Sequence, residues 1–323
     1  MATLNFLDLA KANSSDVVGG LIEDTTSIAP ELSIFETEDL AEPGQLSYET
    51  LHRSALPSVS FASAGQGFTP SKSTLRLVSH QCFRFGGRIE AARHIADNYR
   101  RGGAAGYQAL EASGVMEAAM RLIGSQIFYG VSHDGLGFPG LKAFTPFGGS
   151  YTSNAAGTTS STASSVYMVK FGERYTRLMA GRVRNAPGLI QLPDFRIGDM
   201  DDPNDATKRI EAYISELSSY LGLQIAADYS VVRICNLTAD SGKGLTDAKL
   251  TTAMALFPAN FKPDAIFMSR RSLAQLQTSR TVSLFGQGTS RPDQELIAPL
   301  PTSFEGVPIV TTDSILNTDA IES

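Results

Sequence analysis

The 323-residue sequence has no tryptophan, two cysteines and four histidines, and each scarcity removes a class of chemistry. Cys82 and Cys235 lie far apart, inside runs of strand-forming residues, and make no C-x-x-C pair. They read as two buried thiols in a reducing cytoplasm rather than as a disulfide framework. His52, His80, His94 and His133 show neither H-x-H nor H-x-x-x-H spacing, which takes away the usual ground for a structural or catalytic metal centre. A G-x-S-x-G elbow is also missing, so hydrolase chemistry lacks a familiar nucleophile. No run reaches the roughly 18 apolar residues that a spanning helix needs. The start, MATLNFLDLAKANSSD, lacks the basic segment and apolar core of a secretory leader.

What is present is enough apolar residue, 42%, to fill the cores of two compact units. The net charge of −6 is unevenly placed. Residues 1–49 carry ten acids and only Lys11 as a base, a local −9 that leaves +3 on the remaining 274 residues. An acidic leading arm on a mildly basic body fits docking on a neighbour's basic surface, and equally fits a solvated terminus. Neither pI nor charge clustering is that of a dedicated nucleic-acid binder.

Residues 1–46 read as an arm, broken by Pro30 and Pro43, whose apolar cluster Ile28, Leu32, Ile34 and Phe35 needs a partner surface. Residues 47–95 read as an extended hairpin. Leu75 to Phe85 is rich in β-formers, Ala64–Gly67 and Thr69–Ser71 supply the turn, and polar residues at almost every second place keep one face wet. The spacing of Val115, Ala119, Leu122, Ile123 and Ile127 predicts a helix over 104–129 with Gly130 as its cap. Gly106, Gly114 and Gly124 each weaken it by about 1 kcal/mol, a loss that close neighbouring backbone would justify.

Beyond it, the Ser/Thr-rich stretch 148–166 reads as a surface loop. Val166–Leu178 has strand character. Asp202 and Pro203 then predict the cap and first residue of a second helix with the stripe Ile210, Tyr213, Ile214, Leu217 and Leu221, ended by Gly222. Tyr229–Cys235, Asp264–Met268 and Gly306–Thr312 read as strands. Thr246 caps a third helix that Pro258 stops, and Ser269 caps a fourth, from Arg270 to about Thr278. Mixed elements without strict βαβ alternation and without internal repeats make the class α+β.

The search for chemistry ends without a catalytic constellation. Gly135-Leu-Gly-Phe-Pro-Gly140 satisfies G-x-G-x-x-G, yet it follows a helix instead of a strand and carries Pro139 where the next helix would begin, so it reads as a connecting turn. Ser241-Gly-Lys-Gly-Leu-Thr246 lacks the leading glycine and the Mg²⁺-binding hydroxyl of a phosphate loop. Asp199, Asp201 and Asp202 could in principle hold a cation, but they fit better as the solvated start of the second helix, with Asp202 as cap and their charge favouring the dipole. Arg100, Arg101, Arg174, Arg177, Arg182 and Arg184 fit ion pairs between subunits better than a nucleic-acid face.

The order of acidic arm, extended hairpin, long helix and mixed domain resembles the major capsid proteins of tailed bacteriophages, the Hong Kong 97-type fold. Short phrases carry the likeness: Ala29-Pro-Glu-Leu32, Leu56-Pro-Ser-Val-Ser-Phe61, Phe128-Tyr129-Gly130 leading into Gly137–Leu141, Ile266–Arg270 and Phe304–Val310. The resemblance implies an N-terminal arm (1–46), an E-loop (47–95), a P-domain with its spine helix (96–140), an A-domain (141–300) and a return to the P-domain (301–323). It implies a structural protein, not an enzyme and without cofactor or metal, that assembles with itself as hexamers and pentamers around double-stranded DNA in the host cytoplasm. Portal and decoration proteins are the implied further partners. No long helical segment precedes the arm, which implies a separate scaffolding protein. Some relatives crosslink a hairpin lysine to a P-domain asparagine with a glutamate as catalyst, and Lys72, Asn317 and Glu322 stand in comparable places. An encapsulin-like compartment enclosing a cargo enzyme is the nearest alternative. A soluble enzyme or carbohydrate-binding protein is the alternative of a different class.

Overall fold

The computed structural model describes residues 29–40, 46–100, 102–181, 196–202, 205–280, 282–284, 294–296 and 298–323. Two sheets and one long helix organise them. The first sheet has the order β1–β7–β9–β4, with β8 also on β9. Its strands are β1 (Thr37–Asp39), β4 (Phe83–Ala92), β7 (Thr176–Gly181), β8 (Arg196–Asp202) and β9 (Asp205–Ile225). The second sheet has the order β14–β15–β11–β6–β10–β5. It comprises β5 (Thr152–Asn154), β6 (Ser164–Val169), β10 (Val231–Leu237), β11 (Ala265–Met268), β14 (Ser303–Phe304) and β15 (Val307–Thr311). A two-stranded ribbon, β2 (Ser47–Ala55) with β3 (Thr74–Gln81), forms a sheet of its own.

The long helix α3 (Gly103–Tyr129) follows two short ones, α1 (Glu31–Ile34) and α2 (Arg93–Ala96). It matches the span read from its periodicity. Its last third is buried almost all round, because Ile123, Ile127, Phe128 and Tyr129 enter a core shared by both sheets, with Leu178 and Leu221 from the first and Tyr167 and Phe267 from the second. Phe128 sits 5.3 Å from the Tyr167 ring and 5.7 Å from Phe267. A second core, around Met168, Ile234, Leu250, Ile266 and Leu276, lies under α5 (Asp247–Met254) and α6 (Arg270–Arg280). Thr246 caps α5 by accepting from the Lys249 N–H, and Ser269 accepts from the Ser272 N–H at the start of α6.

Gly130 ends α3 at φ +57°, where its N–H still bonds the Gln126 carbonyl. A Cβ there would stand 2.0 Å from the Gly140 nitrogen. The last glycine of the literal G-x-G-x-x-G is therefore needed for a backbone-to-backbone clasp that turns the chain at the helix end. Gly124 is also a close approach, but to side chains: the Glu31 carboxylate and the Ser314 hydroxyl occupy the space a Cβ would need. Gly114 has nothing near it, so the expectation of crowding fails there.

The expected second helix is instead β9, a 21-residue strand long enough to span about 70 Å. One edge pairs with β4, from Phe83↔Leu221 to Ala92↔Ala212; the other pairs first with β8 and then with β7. The stripe at 210, 213, 214, 217 and 221 has helical spacing, but in the strand its even and odd members point to opposite faces. Three partner strands and a segment of Ile, Tyr and Ser with weak helix propensity decide for the sheet. Gly222 lies inside the strand. Asp199, Asp201 and Asp202 are consequently in β8, not at the start of a helix, with Asp201 3.7 Å from Arg209 across the strand pair; the Pro203 expectation falls outside the described residues.

Three smaller expectations also change. The hairpin read over 47–95 ends with β3 at Gln81, because β4 pairs with β9 in the first sheet and Arg93–Ala96 is helical. The 148–166 stretch is not all loop, since β5 lies within it and Ser164, Ser165 and Val166 are buried in β6. Val166–Leu178 holds parts of two strands from different sheets. Of the arm's apolar cluster, Leu32, Ile34 and Phe35 find a partner surface on their own chain, while Ile28 lies outside the described residues. β1 runs parallel to β7, Thr37↔Leu178 to Asp39↔Ala180, and the Phe35 ring lies 4.9 Å from Phe171 and 5.5 Å from Phe267.

Candidate assembly interface

The β2–β3 ribbon leaves the body with both faces largely wet. Its register runs from Ser47↔Gln81 to Ala55↔Thr74. Leu51, directly opposite Leu77, and Leu75 share one face; all three are exposed, Leu51 to 66%. Beyond the ribbon, Leu56 to Lys72 is exposed at every residue, Val59 to 94% and Phe61 completely. Half of the exposed large apolar side chains among the described residues fall between Leu46 and Leu77. An isolated two-stranded hairpin is marginal in water, and a clustered apolar surface of this kind marks a contact site. Among the described residues the hairpin presents this apolar surface uncovered.

Its root is held by polar contacts. Thr50 Oγ1 lies 2.8 Å from His52 Nε2 and 3.2 Å from His80 Nε2. His80 is buried, and desolvation first, then the neighbouring His52, push its pKa below the ordinary histidine range. The spacing of these histidines in sequence hid their meeting across the hairpin.

Arg177 joins three elements. Its side chain, 6% exposed, pairs with Glu38 of the arm at 2.8 Å, donates from Nε to Gln224 of β9 at 2.7 Å, and sits 5.0 Å over the Tyr48 ring at the hairpin root. One of the arginines expected to pair between subunits thus pairs within the chain. Arg174 lines the open groove between hairpin and body; Arg101, Arg182 and Arg184 lie outside the described residues.

The C-terminal tail is a clasp. Buried Arg233 donates twice to Glu322, at 2.9 and 2.7 Å, and Lys142 reaches the same carboxylate at 3.0 Å. Burial works to raise the Glu322 pKa, but the Arg233 guanidinium, helped by Lys142, outweighs it and leaves the carboxyl below its ordinary range. The Asn236 amide brackets the Glu322 backbone, donating to its carbonyl at 2.8 Å and accepting from its N–H at 2.9 Å. Tyr129, at the end of α3, donates to Asp319 at 3.0 Å and accepts from the Leu316 N–H at 2.8 Å. Desolvation raises the Asp319 pKa and, with Arg233 opposing, carries Tyr167 up to about 12.

Asn317 accepts at Oδ1 from the Ser269 hydroxyl at 2.7 Å, and its carbonyl accepts from Arg271 at 3.1 Å. Lys72 is exposed on the hairpin loop. The tail therefore holds Asn317 and Glu322 in structural roles, while Lys72 sits on the projecting element. Arg233, Glu31 and Gln126 escaped the reading of the sequence, because nothing in sequence distinguishes a buried charge or amide from a solvated one. Cys82 and Cys235 are both buried free thiols, as expected; burial pushes Cys82 up to about 11.

Among the described residues no helix is long and apolar enough to cross a membrane. None of the curated proteins matches this sequence. The sequence model of the family described as Major capsid protein GP7 matches residues 15–321. Among solved structures, a chain in the structure of bacteriophage Epsilon15 is 16% identical, with 99% of this chain and 97% of that one covered and a TM-score of 0.69. The capsid of bacteriophage JBD30 gives 12% identity, 95% and 97% coverage and a TM-score of 0.49. The capsid of Myoviridae phage XM1 gives 10%, 70% and 97%, and 0.48. The last two add no weight at those scores, whereas the first shares its fold over essentially the whole length. A family match across 15–321, on a body that carries a projecting hairpin and a stapled tail, leads to one conclusion: the chain belongs to the major capsid protein GP7 family and has the phage-capsid fold.

Proposed function

We propose that the chain builds a closed icosahedral shell from hexamers and pentamers, enclosing packaged double-stranded DNA without reading its sequence. In this reading α3 and the first sheet form the P-domain, which takes β4 from the 47–95 E-loop span and β7, β8 and β9 from the 141–300 A-domain span given above; the second sheet with α5 and α6 forms the A-domain, the β2–β3 ribbon is the E-loop, and residues 1–46 are the N-terminal arm. The tail 301–323 spans both parts: β15 completes the second sheet, and Ile315 returns to the core around the end of α3. The observation that carries the proposal is the hairpin, whose apolar residues are uncovered in the subunit and need a neighbour. Weak contacts repeated around symmetry axes suffice, because closure sums them.

Assembly takes place in the bacterial cytoplasm with a separate scaffolding protein and a portal, and a decoration protein can bind outside. A compartment around a cargo enzyme would use the same contacts and is distinguished by its content, protein instead of DNA. Lys72, Asn317 and Glu322 carry the proposal of a covalent crosslink, in which the Lys72 amine of one subunit attacks the Asn317 side-chain amide of another, forms an isopeptide bond and releases ammonia, with Glu322 taking the amine's proton; shells boiled in detergent would then run as ladders that Lys72→Arg abolishes. The main test removes residues 56–73 and joins Ala55 to Thr74 through a two-residue Asn-Gly turn. The shortened subunit should keep its thermal unfolding midpoint and form no shells under conditions where the full chain does. Normal shells from the shortened chain would refute the role given to the hairpin.

A further inference from the structure

We propose that the cleft between α3 and β4 is a binding site for a compact apolar ring, a single carbocycle, with Leu136 as the side chain that closes over it. The site belongs to one subunit and goes beyond the shell reading without resting on it. Its floor follows from the sheet. Phe83 and Phe85 are two residues apart in β4 and so share a face, and Leu221 of β9 stands directly opposite Phe83 on that face. Leu122 of α3 and Phe138 of the following turn form the walls. The cleft measures about 190 Å³, and a cavity of about 150 Å³ lined by such side chains takes benzene.

Polarity decides what enters. The Gln126 amide lies in the wall and is 4% exposed. Its Nε2 donates to the Phe138 carbonyl at 2.8 Å and the Asp134 carbonyl at 3.3 Å, and its Oε1 is buried and unpaired. With its donors spent and its acceptor out of reach, the amide offers nothing to a water in the cleft. The charged residues of the lining are engaged elsewhere: Arg84 pairs with Glu216 at 2.6 Å, and Asp134 Oδ1 accepts from the Leu136 N–H at 2.9 Å. A water held inside a protein needs about two to four polar partners, whereas an apolar ring needs only surface. The lid is part of the same turn. Leu136 stands at the lip, 86% exposed, between Gly135 and Gly137. Asp134 fixes the backbone on both sides of it, since its carbonyl also accepts from the Gly137 N–H at 3.1 Å. Closure therefore takes only a rotation of the Leu136 side chain, and closing over a ring buries a leucine that the subunit otherwise leaves in water.

The test is calorimetric. Toluene is titrated into dispersed full-length chain, unfolding is followed by differential scanning calorimetry, and hydrogen exchange is read at the amides of 134–138. Toluene should raise the unfolding midpoint, as a ligand of the native state alone does, and should slow exchange at those amides. Leu122→Trp fills the cleft and should abolish both effects, while Val131→Trp, outside it, should leave them. Leu136→Ala should weaken toluene binding at least about fivefold through the burial lost at the lid. Phenol should bind at least about tenfold more weakly than toluene, because its hydroxyl finds no partner on the floor. An unchanged midpoint in the unmodified chain, an equal rise in Leu122→Trp, or phenol binding as tightly as toluene would overturn the site, and undiminished affinity in Leu136→Ala would overturn the lid. If Leu122→Trp does not fold, the exchange footprint of the unmodified chain decides: protection centred on 134–138 supports the site, and protection elsewhere overturns it.

Discussion

Replacing Glu322 by alanine should loosen the whole C-terminal tail. The substitution leaves Arg233, 2% exposed, and Lys142 facing each other with no anion between them. Removing one partner of a buried ion pair costs about 3–5 kcal/mol, mostly the desolvation of the charge left behind. Unfolding entropy is about 2 cal/mol/K per residue, so a loss near 4 kcal/mol lowers the midpoint of this chain by about 6 °C. Arg233→Met leaves Glu322 with Lys142 and should cost less. The double variant Arg233→Met with Glu322→Ala should lose less than the two single losses added, since neither member of the Arg233–Glu322 pair is then stranded. Thermal unfolding of dispersed subunits, followed by circular dichroism, measures all three. The pH dependence has a definite sign. The folded Glu322 pKa is depressed, so its contribution is complete above the ordinary glutamate value of about 4.5 and is lost as pH falls through the lower folded value. A midpoint shift for Glu322→Ala below about 1 °C, or strictly additive losses in the double variant, would refute the clasp.

Phe35→Ala removes a ring packed between Phe171 and Phe267 and should cost about 3–5 kcal/mol; hydrogen exchange should then rise first at the amides of 35–40. Gly130→Ala puts a Cβ against Gly140 at a positive φ, and insoluble expression or a loss above about 3 kcal/mol is expected from a solubility and unfolding assay. His80 has a depressed folded pKa, so the hairpin root loses stability as pH drops below the ordinary histidine value of 6.5, where the unfolded state takes the proton first. His80→Asn should flatten that part of the pH–stability curve.

The elements that the sequence made legible are those with local signals. Gly130, Thr246 and Ser269 mark helix ends through their own caps, and the α3 stripe repeats over about three turns, from Val115 to Ile127. Long-range choices were not legible. Residues 205–225 showed a helical stripe in the sequence, and only the arrival of β4, β7 and β8 makes them a strand. The arm's own docking site was equally hidden, since Phe35 needs Phe171 and Phe267 from distant segments. At the interface, the polar, loop-punctuated hairpin announced itself because burial cannot be met locally. Arg233 and Gln126 gave no sign, because a buried polar side chain looks like any other until its partners are placed.

The most direct test of the central claim is cryo-electron microscopy of the full chain, expressed alone and with the proposed scaffolding protein. The account predicts closed icosahedral particles whose density places the β2–β3 ribbon of each subunit on its neighbour. A monodisperse monomer at high concentration, or particles in which the ribbon stays uncovered, would contradict it.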